Sequence, residues 1–116
     1  EDEPAVRALT SRAVASAGYR VLVAHDGEHA LAVAAAEGGA IDLLLTDVVM
    51  PGMSGPDLAR AVAAHRPEVG VLYMSGYVDD AVTRHGLRSS DAVLAKPFSP
   101  GGLARRVRER LDARAR

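Results

Sequence analysis

The sequence contains no cysteine and no tryptophan, and Lys96 is the single lysine among 14 basic residues. Without thiols, disulfides, thiolate catalysis and cysteine-bound zinc are excluded. Aromatic residues make up 3% of the chain (Tyr19, Tyr73, Tyr77 and Phe98), so a core has to come from Ala, Val and Leu. No apolar run approaches the roughly 20 residues that span a bilayer, and no signal-peptide pattern is visible. These absences read as a cytoplasmic chain without membrane insertion. Charge of one sign is missing too: the net charge is −1, which argues against a nucleic-acid or anionic-membrane footprint. The glycines at 52 and 55 match neither the dinucleotide fingerprint nor the P-loop.

What is present suffices for one domain over residues 1–116, at 48% hydrophobic content. Pro4 suits a first helical turn, and Val6, Leu9, Ala13, Val14 and Ala17 form one stripe that Gly18 stops. The acids before Pro4 complement the helix dipole or hold a cation. Tyr19 to Ala24 reads as a strand, and Asp26 as the N-cap of an alanine-rich helix that runs to Gly38. The spacing of His25 and His29 suggests metal ligands, but no third ligand is evident.

Asp42 to Thr46 is a strand whose unbroken apolar run, Leu43-Leu44-Leu45, is of the doubly buried kind, and it delivers Asp47. Ser54 and Asp57 form a capping box for a helix through His65. Val69 to Met74 is a strand that runs into Ser75, and Asp79 to about His85 is a short helix. Ala92 to Ala95 is the last strand, before Lys96-Pro97-Phe98. Ser99 and Pro100 open a final helix with Leu103, Val107 and Leu111 on one face. Its arginine-rich remainder reads as a solvated face.

Strict alternation of helix and strand means an α/β domain with a parallel sheet and helices on both faces. Right-handed crossovers put all carboxyl ends of the strands on one rim, where such sheets bind ligands. Asp47, Ser75 and Lys96 then share that rim with Glu1 and Asp2. A carboxylate can attack phosphorus to form an acyl phosphate. Mg²⁺ on one or two carboxylates would neutralise the phosphoryl oxygens, and a lysine and a hydroxyl would bind them.

This ordered set, Glu1-Asp2-Glu3-Pro4, Asp47 within LLLTDVVMPGMSG, Ser75 within YMSGY and Lys96 within AKPF, resembles the receiver domains of bacterial two-component response regulators. The resemblance implies a flavodoxin-like (CheY-like) doubly wound parallel sheet with strand order 2-1-3-4-5. It implies that Asp47 is the phosphoacceptor and that Glu1, Asp2, Asp47 and the backbone carbonyl of Val49 hold Mg²⁺. It also implies that Ser75 and Lys96 bind phosphoryl oxygens and that the peptide before Pro97 is cis. The implied partner is a histidine kinase or a histidine phosphotransfer domain, with a homodimer as a further option. The spelling of MSGY and KPF is like receivers attached to hybrid sensor kinases. An alternative is a degenerate receiver that serves only as a docking module. A haloacid-dehalogenase-type phosphatase is disfavoured, because it needs an acid at the position of Val49.

Two departures from the family pattern generate expectations. The sequence starts at the acidic pair, so the strand that precedes it in the family lies outside residues 1–116. A gap, or another segment filling it, is therefore expected between Val21–Ala24 and Asp42–Thr46. Val93 stands where many receivers carry an aromatic switch, and valine has little rotamer freedom. Output is then expected to pass through repacking near Ser75–His85. Val49 and Tyr77 flank the phosphoryl position, and neither suits the orientation of an attacking water, so slow self-dephosphorylation is expected.

Overall fold

The computed structural model of the chain describes residues 1–76, 87 and 91–114. Among the described residues there are four helices and three strands. They are α1 (Pro4–Ser16), α2 (Gly27–Ala36), β1 (Leu43–Asp47), α3 (Gly55–His65), β2 (Gly70–Ser75), β3 (Val93–Ala95) and α4 (Pro100–Arg114). The helix expected over Asp79–His85 lies outside the described residues, as does Tyr77. Local chemistry sets the helix starts as expected. The side chain of Asp26 accepts from His29 N at 2.8 Å, Ser54 Oγ accepts from Asp57 N at 3.2 Å, and Ser99 Oγ accepts from Gly102 N at 2.9 Å. Gly18, just past the end of α1, has φ 99°, a conformation that glycine adopts without Cβ strain.

The three strands are parallel in the order β1-β2-β3, with Asp47 opposite Met74 and Ser75 opposite Ala95. They correspond to the last three strands of the expected five-strand order. Successive side chains of β1 point to opposite faces, which is why its leucine run carries no polar alternation. Leu43 and Leu45 join Leu72, Leu94 and the α4 residues Leu103, Val107 and Leu111, together with Ala13 and Val14 of α1. Leu44 faces the other way, toward Val48, Ala59 and Tyr73 and toward Leu58 and Val62 of α3. Helices thus cover both faces.

Residues 19–24 correct the strand expected over Tyr19–Ala24: they form no strand, because no described residue pairs with them and a strand exists through its ladder. A cavity of about 680 Å³ separates them from β1, lined by Thr10 and Val14 on one side and Val21, Val23, Leu43 and Leu45 on others. The expected gap is present. Leu22 and Val23 beside it are 42% and 44% exposed, and the Thr10 hydroxyl is buried without a hydrogen-bond partner.

Arg66 ties the layers together. Just beyond α3, its guanidinium donates to Ala34 O at 3.1 Å, Glu37 O at 2.8 Å and Gly39 O at 2.8 Å. These carbonyls lie at and beyond the end of α2, where the last turn leaves acceptors without intrahelical donors. Arg66→Ala is expected to destabilise the domain by about 2 kcal/mol, since it strands several acceptors of charge-assisted hydrogen bonds. Lysine, a point charge without the planar fork, should recover only a fraction. Denaturant midpoints of the two variants check this; equal stability of Arg66→Ala and wild type would contradict it. A strand-length apolar segment added ahead of Glu1 is expected to seat in the cavity and slow amide exchange in Leu43–Leu45. Unchanged exchange would refute that reading of the gap.

Candidate functional site

The site forms where β1 ends. Asp47 is the last residue of that strand and is 3% exposed. Its position is held by backbone contacts on both sides. Val48 N donates to Met74 O at 3.0 Å, and Gly55 N donates to Val48 O at 2.8 Å. Glycine is required at 55 by this close approach, since a Cβ there would lie 2.0 Å from Asp47 O. Gly52, with φ 82°, turns the loop between them. Thr46 Oγ1 donates to Asp47 O at 3.0 Å.

Lys96 reaches the same point from the end of β3, after a backbone bond from its N–H to Ser75 O at 2.8 Å and before a cis peptide to Pro97. Its Nζ lies 2.5 Å from Asp47 Oδ1 and 3.0 Å from Glu1 Oε1. Glu1 Oε2 accepts from Glu3 N at 3.2 Å. The chain start is further anchored by Arg7, which donates to Glu1 O at 3.1 Å. Carboxylate oxygens of Glu1, Asp2 and Asp47 all come within 4.8 Å of one another.

Of the sequence-derived candidates, the structure brings Glu1, Asp2, Asp47 and Lys96 together. Ser75 ends β2, one residue beyond the Met74 that pairs with Asp47. Val49 lies in the loop two residues past Asp47 with its side chain 62% exposed. The pairing of Glu1 with Lys96 was not legible in the sequence, where 95 residues separate them. The visible signal was a lone lysine beside a proline. Glu3 is the N-cap residue of α1 and makes no side-chain cap, while Glu1 turns to Lys96.

Electrostatics at the site are strained. Burial raises the Asp47 carboxyl to about 6, the hydrogen bond and charge of Glu1 add to the rise, and Lys96 opposes it. Burial would raise Glu1 as well, but hydrogen bonds with Asp47, Lys96 and Glu3 N bring it down to about 2. The two neighbouring acids shift in opposite directions, Glu1 down and Asp47 up, so Asp47 takes a proton first as the pH falls. Lys96 is desolvated, but its two carboxylate partners outweigh this and raise its pKa. Both Asp47 oxygens are buried without a directed hydrogen bond. Three oxygen-donating acids within 4.8 Å of one another, with the Asp47 oxygens lacking directed hydrogen bonds, fit a hard divalent cation such as Mg²⁺.

The histidine pair does not make a second metal centre. The rings of His25 and His29 lie 4.2 Å apart, but His29 Nδ1 accepts from His25 N at 3.1 Å. That bond engages Nδ1, and among the described residues no third ligand joins the pair.

The shifted Asp47 pKa has a signed consequence. A carboxyl raised from 3.8 to about 6 in the fold costs stability on ionising, and the cost is fully present above about 6 and relieved as pH falls toward 3.8. Asp47→Asn is therefore expected to raise the thermal midpoint by a few degrees at pH 8, with the gain fading near pH 5. Mg²⁺ at pH 8 should narrow the difference by stabilising the acidic protein. A gain independent of pH would refute the raised pKa of Asp47.

Comparisons with known proteins agree with this architecture. The model of the response regulator receiver domain family matches residues 1–108. Sensor kinase CckA of Brucella abortus (strain 2308) is 42% identical over 115 residues, which cover 97% of this chain and 12% of that protein. The response regulator receiver protein CpdR of the same organism is 32% identical over 114 residues, covering 97% of this chain and 93% of CpdR. Among solved structures, the receiver domain of the hybrid histidine kinase CckA superposes with a TM-score of 0.79 at 39% identity, over 96% of this chain and 94% of that one. A response regulator receiver protein of Sinorhizobium medicae WSM419 gives a TM-score of 0.83 at 26% identity, over 98% and 91%. The chain belongs to the response regulator receiver domain family of two-component signalling.

Proposed function

We propose that this receiver accepts a phosphoryl group from a phosphohistidine onto Asp47, with Mg²⁺ bound, and passes the change to a partner. The observation that carries the reading is the buried Asp47 carboxylate, whose two oxygens lack directed hydrogen bonds while Lys96 and two further acids converge on it. An Asp47 oxygen forms the new bond to phosphorus as the phosphorus–nitrogen bond breaks, and the departing imidazole keeps the electron pair. Glu1, Asp2, Asp47 and the backbone carbonyl of Val49 would hold the ion. Bound there, Mg²⁺ would neutralise charge on the phosphoryl oxygens.

Lys96 now neutralises Asp47 and Glu1 and is within reach of a phosphoryl oxygen once Asp47 carries the acyl phosphate. Glu1 anchors that lysine as well as joining the acidic cluster, and Ser75 would donate to another phosphoryl oxygen. Nucleophilic attack needs the ionised carboxylate, so a bound cation would also promote the reaction by lowering the raised Asp47 pKa.

The likeness to CckA, whose receiver structure is that of a hybrid histidine kinase, supports placement in a hybrid kinase. The phosphodonor is then a histidine kinase or a histidine phosphotransfer domain in the cytoplasm. No described helix is long and apolar enough to cross a membrane. Nothing in the site favours nucleic acid as a partner, and self-association remains a property of the helical faces. A docking module without phosphoryl chemistry would have no use for a buried acid with unmet oxygens.

Incubation with acetyl phosphate and Mg²⁺ is expected to add one phosphoryl group by mass, and Asp47→Asn should abolish the gain. No gain in the wild type would favour the docking module. The exposed Val49 side chain offers no group to orient a water. Val49→Asn should therefore accelerate decay of the phosphorylated form, and an unchanged half-life would refute the role given to this position.

A further inference from the structure

Helical side chains tilt toward the helix N-terminus, so a long one near the start of α1 can reach the residues ahead of it. Arg7 does so. Its backbone N–H makes the first bond of the helix, to Glu3 O at 2.8 Å. Its guanidinium runs back further, and Nη1 donates to Glu1 O at 3.1 Å and more weakly to Asp2 O at 3.5 Å. One residue thus takes the carbonyls of Glu1, Asp2 and Glu3 in succession. These residues carry two of the three carboxylates that converge within 4.8 Å at Asp47. Asp47 itself is set by its ladder, opposite Met74. Residues 1–3 lie in none of the described strands, so their backbone needs another restraint.

Two effects of Arg7 on a cation at this cluster oppose each other. Its bonds go to carbonyl oxygens, so it occupies no carboxylate oxygen that a cation would use. Its positive charge nevertheless stands near the acids, and by Coulomb's law alone it would repel the ion. Asp2 is exposed and Arg7 is half-buried, so water and salt screen that repulsion. Outer-shell partners that orient metal ligands typically change affinity by roughly 10–100-fold. Positioning outweighs repulsion. The restraint also extends to Lys96, because Glu1 Oε1 lies 3.0 Å from Nζ. A Glu1 backbone that lost its hold would loosen that pair as well.

We propose that Arg7 is a positioning residue of the metal site, which sets Glu1 and Asp2 toward Asp47 through their backbone carbonyls and so strengthens Mg²⁺ binding. The proposal rests on the reading of the acidic cluster as the Mg²⁺ site of a phosphoryl acceptor. It adds a cation that acts on that site without touching the ion.

The test is a titration of the protein with Mg²⁺ that follows the Val48 amide resonance, beside the wild type, in Arg7→Ala, Arg7→Lys and Arg12→Ala. Arg7→Ala is expected to bind Mg²⁺ about tenfold more weakly, the low end for a lost outer-shell partner, although it removes a repelling charge. Arg7→Lys keeps the charge and a donor but not the planar fork, and should recover part of the loss. Arg12, exposed on the same helix, controls for charge, and Arg12→Ala should bind as the wild type does. A second readout needs no metal. With isotope-labelled lysine the signal of Lys96, the single lysine, should move in Arg7→Ala and stay in place in Arg12→Ala. Unchanged or tighter Mg²⁺ binding by Arg7→Ala would overturn the proposal, because repulsion alone gives that sign. An equal loss in Arg12→Ala would overturn it too. If the wild type binds no Mg²⁺, the metal-site reading itself fails and takes this proposal with it, whereas wild-type binding with an indifferent Arg7→Ala defeats only the role of Arg7.

Discussion

A carboxylate buried at the end of a strand, beside a second acid and restrained by one lysine, is the arrangement on which the rest of this domain depends. Burial penalises ionised Asp47, and Glu1 deepens the penalty, whereas Lys96 offsets part of it. Buried charge survives in proteins when it is paired. Here the pairing is incomplete, with both Asp47 oxygens lacking directed hydrogen bonds. Stability is thus traded for a group that gains from any added positive charge.

The scaffold makes such an arrangement possible by delivering its parts from separate elements. Parallel pairing aligns the carboxyl ends of β1, β2 and β3, so Asp47, Ser75 and Lys96 reach one rim from three strands. The loop after Asp47 must then turn back at once, and Gly55 lets α3 start against the Asp47 carbonyl, where no Cβ fits. The leucine run of β1 anchors the rim from below through both faces of the sheet. Opposite, Arg66 binds three carbonyls at the end of α2 and fastens that helix to α3.

The open side of β1 shows how far a fold can lean on one strand. Residues 19–24 run beside the sheet across a cavity of about 680 Å³, close enough to line the same space as β1 but without the ladder that would make them a strand. Helix α1 nevertheless packs on α4 through Ala13 and Val14. The acidic start of the chain is therefore placed by helix packing and by Lys96, and it reaches the rim without a strand of its own among the described residues.

Much of this was written locally in the sequence. Ser54, Asp26 and Ser99 mark helix starts because capping involves neighbours a few residues away. The Leu43–Leu45 run marks a strand because both of its faces are buried, and the ordered acid, hydroxyl and lysine marked the rim. Tyr19–Ala24 was read as a strand, which it is not, because β-propensity describes fitness for a ladder and cannot supply the neighbour. The partnership of Glu1 with Lys96, the opposite shifts of the Glu1 and Asp47 carboxyls, the three-carbonyl grip of Arg66 and the seat of Tyr73 beside Val48 were decided by tertiary structure alone. Each depends on distances between residues remote in the chain, and on the desolvation that appears when the core closes around them.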